Sequence, residues 1–192
     1  KLGYFQTKNL IKCPHIFEGA NNEKILSILS NYFGCKFKLD WVWAWWSFPS
    51  NEKAGPQLFH RDYESFNFIK LFVYLTDVDE NSGPHEIIKE SHNDNRFYKR
   101  KRFSDKDISD NFKKNNCIKI HGKSGKSFLA NTFAIHKGHH PKKNDRLVLV
   151  YLYSVVSSNR SPKLSVIKKQ NLNSDLKKII SKNIYINKNF IN

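Results

Sequence analysis

The chain has 192 residues, 39% of them hydrophobic and 14% aromatic, which is enough to bury one sizeable core but not two and excludes a disordered chain. Its formal charge of +16 invites a nucleic-acid reading, but only six of the 33 basic residues are arginine, the side chain suited to bidentate phosphate and guanine contacts, and the abundance of lysine with asparagine reads as compositional bias. No apolar run nears the roughly 20 residues that span a bilayer, no signal-peptide core stands at the start, and three cysteines without CxxC spacing offer neither a disulfide framework nor a thiolate zinc site, so a cytoplasmic protein with no membrane span is expected.

Taken in chain order, residues 22–34 (NEKILSILSNYFG) predict a helix, with Asn22 at the cap, apolar residues at helical spacing and Gly34 as the stop. Residues 36–49, aromatic and β-branched, predict a strand, and their four tryptophans read as core packing rather than a substrate platform. A second strand is expected over 66–78, running into the turn DENSG. The basic and aromatic cluster RFYKRKRF, 96–103, reads as an exposed loop lip, part of a lid over 93–121 that could attract an anionic substrate. Residues 104–115 open with serine and acids and close with lysines, which suits a short surface helix. Strands over 126–136 and 146–156 follow, and the Lys/Asn/Ile-rich end, 160–192, is expected to wrap the domain or fray. The sum is a single domain over 1–192, a mostly antiparallel sandwich or barrel with a few outer helices. The absence of any methionine, including a start, is what a trimmed chain or fragment would show.

One pair of residues carries chemistry. In an extended segment, residues i and i+2 point to one face, so His60 and Asp62 would present an imidazole and a carboxylate together while Arg61 turns away. A non-haem Fe(II) site needs two histidines and one carboxylate on one face, with the opposite positions open. Alone, such a tripeptide is as compatible with a local hydrogen bond as with metal binding. The context that raises it is the segment 122–153, which offers His136 at the end of one strand and Arg146 at the start of the next, with His139 and His140 as rival histidines in the loop between.

With those residues in view, FHRDYES, KLFVYLTDVDENSGPHEIIKESH and GKSFLANTFAIHKGHHPKKNDRLVLVYLYS, spanning about 59–154, together resemble the phytanoyl-CoA dioxygenase-like branch of the Fe(II)/2-oxoglutarate-dependent oxygenases. The resemblance implies a mainly β fold, a double-stranded β-helix or cupin-like jelly roll, with Fe(II), 2-oxoglutarate and O2 as cofactors. It implies His60, Asp62 and His136 as metal ligands and Arg146 as the partner of the far carboxylate of 2-oxoglutarate, with Tyr74, Lys70 and Thr132 as further candidates for that pocket. Gln57 and His85 are candidates for the substrate side, His85 otherwise reading as a hydrogen-bonded structural histidine. Glu90 stands where relatives commonly carry glycine, and Asn131 where they commonly carry an acid. The implied activity is hydroxylation of a small-molecule substrate, with three rivals: a jelly-roll binding module, a metal enzyme without 2-oxoglutarate, and an oxygenase acting on nucleic acid.

Overall fold

The computed structural model describes residues 1–50, 55–157 and 172–191. In chain order these form β1 (Leu2–Tyr4), α1 (Thr7–Leu10), α2 (Pro14–Ala20), α3 (Glu23–Phe33), β2 (Lys38–Ser47), β3 (Phe68–Tyr74), β4 (His85–Ile88), α4 (Asp105–Ser109), β5 (Cys117–Ile120), β6 (Ser127–Ala130), β7 (His136–Gly138), β8 (Arg146–Ser154), α5 (Ser174–Lys182) and α6 (Ile184–Asn187). The strands make a five-stranded sheet, in the order β1-β2-β8-β3-β6, and a three-stranded sheet, β5-β4-β7. No helix among the described residues is long and apolar enough to cross a membrane.

The expected helix α3 forms where its signals lie. Asn22 accepts a hydrogen bond from the Ile25 amide, Leu26, Leu29 and Phe33 face inward, and Gly34 ends the helix in a left-handed cap. The helix expected over 104–115 is shorter: Ser104 and Asp107 form a reciprocal capping box, but α4 covers Asp105–Ser109 alone. The strand expected over 126–136 is two strands. Asn131 breaks it, its side-chain oxygen accepting from the Phe133 amide and its carbonyl from the Ala134 amide. An amide oxygen does here what an acid would do, closing the turn that separates β6 from β7. His136 therefore opens a strand rather than ending one. The four tryptophans of β2 are half-buried and alternate with the buried Val42 and Ala44, so they flank the core instead of filling it. Of the C-terminal extension, 160–171 and 192 lie outside the described residues, and the rest forms α5 and α6.

Two compact units share these elements. The first comprises 1–4, the described residues of 45–63, and 72–149. Its apolar core gathers Phe59, Ile88, Phe103, Ile108 and Ile135, with Phe97, Phe112 and Cys117 packed against them. The second comprises 5–44, 64–71 and the described residues from 150 onward. There α2 packs against α5, Phe17, Leu29, Leu39, Leu152 and Ile180 are buried, and Asn21 and Asn187 exchange reciprocal amide hydrogen bonds of 3.1 and 2.8 Å.

Two backbone positions in the first unit show what the turns demand. Gly83 has φ +75°, and a Cβ there would overlap the His139 carbonyl oxygen. Glu90 has φ 59°, the one non-glycine with positive φ among the described residues, at the position where relatives commonly carry glycine. A left-handed conformation costs an L-residue about 1–2 kcal/mol, while glycine costs about 0.5–1 kcal/mol in chain entropy. Glu90→Gly is therefore expected to leave stability unchanged or raise it by up to about 1 kcal/mol, whereas Gly83→Ala should lower it by about 2 kcal/mol or more, both read by denaturant unfolding.

Candidate metal centre

The segment holding His60 is not a regular strand. It is an extended stretch that pairs on both sides: Phe59 bridges to Phe103, and His60 bridges to His136, each antiparallel. The amides of His60 and His136 donate to each other's carbonyls, both at 2.9 Å, and the Asp62 amide donates to the Thr132 carbonyl at 2.9 Å. Residues directly opposite in an antiparallel pair share a face, so both imidazoles point the same way, 4.3 Å apart between ring centroids. Asp62, two residues on, joins that face. Phe59 and Arg61 take the other, Phe59 entering the apolar core and Arg61 its carbonyl-lined edge.

Backbone carbonyls set the orientation of each imidazole. His60 Nδ1 lies 2.8 Å from the Leu58 carbonyl oxygen and His136 Nδ1 lies 2.9 Å from that of Ala134. A carbonyl only accepts, so each Nδ1 carries the proton and each Nε2 keeps its lone pair. Those Nε2 atoms face the same carboxylate, His136 at 3.3 Å and His60 at 3.7 Å from Asp62 oxygens. One ligand atom from each of the three residues lies within 4.8 Å of the others. Burial, then the neighbouring His136 imidazole, pushes the His60 pKa down to about 3, so it is neutral at physiological pH, as a ligand must be. This donor set, two imidazole nitrogens and one carboxylate on one face, suits Fe(II) with open positions opposite.

The rival histidines are engaged elsewhere. His139 Nε2 pairs with Glu86 at 2.5 Å, and His140 Nε2 meets the Ser50 backbone. Burial opposes ionisation of Glu86, but the His139 hydrogen bond and the Lys137 charge outweigh it and hold the carboxyl below its ordinary range.

Arg146 opens β8 and is 4% exposed. Its guanidinium lies over Gly138, where a Cβ would stand 2.9 Å from Nη2, so the absence of a side chain at 138 is what admits it. Nη2 donates to Ser47 Oγ at 3.2 Å, while Nε and Nη1 are buried with no hydrogen-bond partner. Burial lowers its pKa to about 10, which leaves it charged. A buried guanidinium with open N–H groups has the chemistry to take a carboxylate, since an unpaired buried charge is costly.

The other expected pocket residues divide. Tyr74, from β3, is buried, donates to the Ile120 carbonyl at 2.8 Å and accepts from the His85 amide at 3.1 Å; burial raises its pKa. Thr132 is fully buried with Oγ1 unpartnered. Gln57 is buried in the 3-10 turn Gly55–Gln57. His85, from β4, is buried among Phe72, Phe128 and His136, its Nε2 without a partner. Lys70 belongs to the second unit, where its ammonium pairs with Glu64 at 3.3 Å and lies 5.2 Å from the Trp43 ring centroid.

The phytanoyl-CoA dioxygenase family model matches residues 8–146. The chain belongs to that family. Fe(II), 2-oxoglutarate and O2, the family's cofactors, agree with the His60, Asp62 and His136 cluster. Among solved structures, the chain is similar to apo HygX from Streptomyces hygroscopicus, at 13% identity over 87% of this chain and 76% of that one, with a TM-score of 0.59. It is also similar to the non-heme alpha ketoglutarate dependent carbocyclase SnoK from nogalamycin biosynthesis, at 16% identity, 80% and 63% coverage and a TM-score of 0.62. The epimerase SnoN of the same biosynthesis follows at 14% identity, 80% and 61% coverage and a TM-score of 0.55. The chain thus spans less than two thirds of the length of SnoK and SnoN. At these identities the likeness shows the fold, the mainly β, cupin-like jelly roll expected from the motifs. No curated protein matches the sequence.

Sequence reading missed Arg61. Its guanidinium is buried on the side away from the imidazoles and donates to four carbonyls: Ser91 at 2.6 Å, Phe133 at 2.7 Å, Asp94 at 2.8 Å and Phe97 at 2.9 Å. It ties the loop of 91–97 to the turn that carries Thr132. The one available signal was its position between His60 and Asp62. Arg61→Leu is expected to cost about 3 kcal/mol, since several buried carbonyls lose their donor, and to lower Tm by roughly 10 °C in a thermal melt.

Proposed function

We propose that the protein is an Fe(II)- and 2-oxoglutarate-dependent dioxygenase that hydroxylates a C–H bond of a small, anionic molecule. The observation that carries this reading is one buried face on which two Nε2 lone pairs and a carboxylate converge, in the same unit as a buried guanidinium with open N–H groups.

Each residue has a role in that reading. His60, Asp62 and His136 hold the metal, their imidazoles oriented by the Leu58 and Ala134 carbonyls. Arg146 grips the far carboxylate of 2-oxoglutarate in a planar fork. Tyr74, fixed between the Ile120 carbonyl and the His85 amide, lines the same pocket. The metal, 2-oxoglutarate and O2 together supply the oxidising power, with succinate and CO2 released as the substrate gains a hydroxyl. Asp62 favours hydroxylation or a related oxidation over halogenation, because relatives that halogenate lose this carboxylate to make room for halide.

The anionic character of the substrate is supported by Arg102. The bridge between Phe59 and Phe103 is antiparallel, so the next pair in register sets Arg102 opposite His60 and on its face. Arg102 is exposed and its charge reaches His60, and it forms no ion pair with a described residue. The loop that carries it is anchored rather than loose, with Phe97 and Phe103 packed edge to face at 4.8 Å.

Anaerobic addition of Fe(II) and 2-oxoglutarate to metal-free protein is expected to give a visible metal-to-ligand charge-transfer band, absent in His136→Ala. In Arg146→Ala, half-saturation should need about 100-fold more 2-oxoglutarate, the loss of a charge-assisted pair. No band in folded wild-type protein would overturn the reading in favour of a binding module. In a screen of small carboxylates and phosphates against neutral analogues, the anionic members should stimulate succinate release. Arg102→Glu should reduce that stimulation about tenfold, and equal stimulation by neutral analogues would remove the anionic assignment.

A further inference from the structure

Resting on the oxygenase reading above, we propose that His85 is a cosubstrate-positioning residue, its Nε2–H donating to the 2-oxoglutarate carboxylate that Arg146 holds. The motif context put His85 on the substrate side; its position in the fold argues for the other side of the metal.

Three observations carry this. In β4, His85 stands directly across from Gly138 of β7, and Gly138 is the residue over which the Arg146 guanidinium lies. Directly opposed residues have Cα atoms about 4.5–5.5 Å apart, so the imidazole and the guanidinium are neighbours. The ring also lies flat beside His136, with centroids 5.4 Å apart and planes 23° from parallel. His85 therefore spans from a proposed metal ligand to the proposed carboxylate site, the two ends between which a 2-oxo diacid must stretch.

The second observation is that nothing in the protein satisfies Nε2 of the ring. Nε2 is buried without a hydrogen-bond partner, although Phe72 and Phe128 hold the ring at centroid distances of 4.7 and 5.4 Å. A buried polar atom is normally hydrogen-bonded, and one that is not calls for a ligand. The third is that the unpartnered atoms are shared with the carboxylate site: Arg146 Nε and Nη1 are in the same condition. A carboxylate has about four acceptor positions; a guanidinium fork fills two, which leaves room for an imidazole N–H. The His85 amide is also tied to the Tyr74 hydroxyl at 3.1 Å, so the backbone that aims the ring is fixed to a second residue of the pocket.

The test measures binding, not turnover. Dissociation constants for 2-oxoglutarate are measured anaerobically from the charge-transfer band of the Fe(II) protein and by calorimetry on the Ni(II) protein, with pyruvate, a 2-oxo acid that lacks the far carboxylate, as the second probe. His85→Leu keeps the volume and removes the N–H; His85→Gln keeps an N–H donor. Expected are about tenfold weaker 2-oxoglutarate binding in His85→Leu, recovery to within about threefold of wild type in His85→Gln, and pyruvate binding and metal affinity unchanged in both. Unchanged 2-oxoglutarate binding in a folded His85→Leu protein would overturn the proposal while leaving the oxygenase reading intact. Equal weakening of pyruvate and 2-oxoglutarate would overturn it too, because the ring would then be shaping the pocket wall alone. If wild-type protein binds metal but neither 2-oxo acid, the oxygenase reading itself falls, and this proposal with it.

Discussion

The candidate site depends on two reciprocal backbone hydrogen bonds between His60 and His136, each 2.9 Å long. They join a short extended segment to the first residue of β7 and fix the register between parts of the chain 76 residues apart, 136 less 60. A slip of one residue would turn His60 to the opposite face and bring Arg61 and Phe59 to the metal side, because side chains alternate along extended chain. The same pairing explains why the reverse side is apolar: Phe59, Phe103 and Ile135 are the residues that alternation sends there, and with Ile88 and Ile108 they form the core that holds the register in place.

Two buried arginines differ in how far the protein itself satisfies them. Arg61 is 5% exposed and Arg146 4%, yet their surroundings differ in kind. Arg61 meets four backbone carbonyls, which satisfy the guanidinium within the protein and hold the loop of 91–97 in place. Arg146 meets one hydroxyl and keeps Nε and Nη1 open. Burying a cation without satisfying it is costly. Around Arg146 the chain also gives up a side chain at 138, and across from Gly138 it leaves His85 Nε2 unsatisfied. These groups all belong to the first unit.

The loop that follows β4 carries a strained position and the hydrogen bonds that steady it. Glu90 takes a left-handed conformation, the one that glycine adopts at least cost, and the 3-10 turn Ser91–Asn93 follows at once. Ser91 then caps the arrangement from both sides, its hydroxyl donating to the Ile88 carbonyl at 2.8 Å and accepting from the Ile135 amide at 2.7 Å. Ile135 is the residue before His136. The strain at Glu90 is thus local to the backbone, and the Ser91 hydrogen bonds beside it steady the entry to β7.

The amino-acid sequence by itself determined what local chemistry can specify. Asn22 and Gly34 marked the ends of α3, the apolar and aromatic runs marked β2, β3 and β8, and the spacing of His60 and Asp62 required one face, because periodicity and capping act within a few residues of themselves. It could not show that 126–136 breaks at Asn131, since that break depends on a side-chain hydrogen bond competing with strand propensity. The short strands β4 and β5 escaped for a related reason: four residues carry too little pattern, and what makes them strands is pairing with each other and with β7. Tertiary structure alone decided which histidine of three joins the pair, because His139 and His140 differ from His136 in their partners, not in their sequence signal. It likewise decided that Arg61 is satisfied while Arg146 and His85 are not, for satisfaction of a buried polar group depends on residues brought near by folding, and no window of sequence contains them.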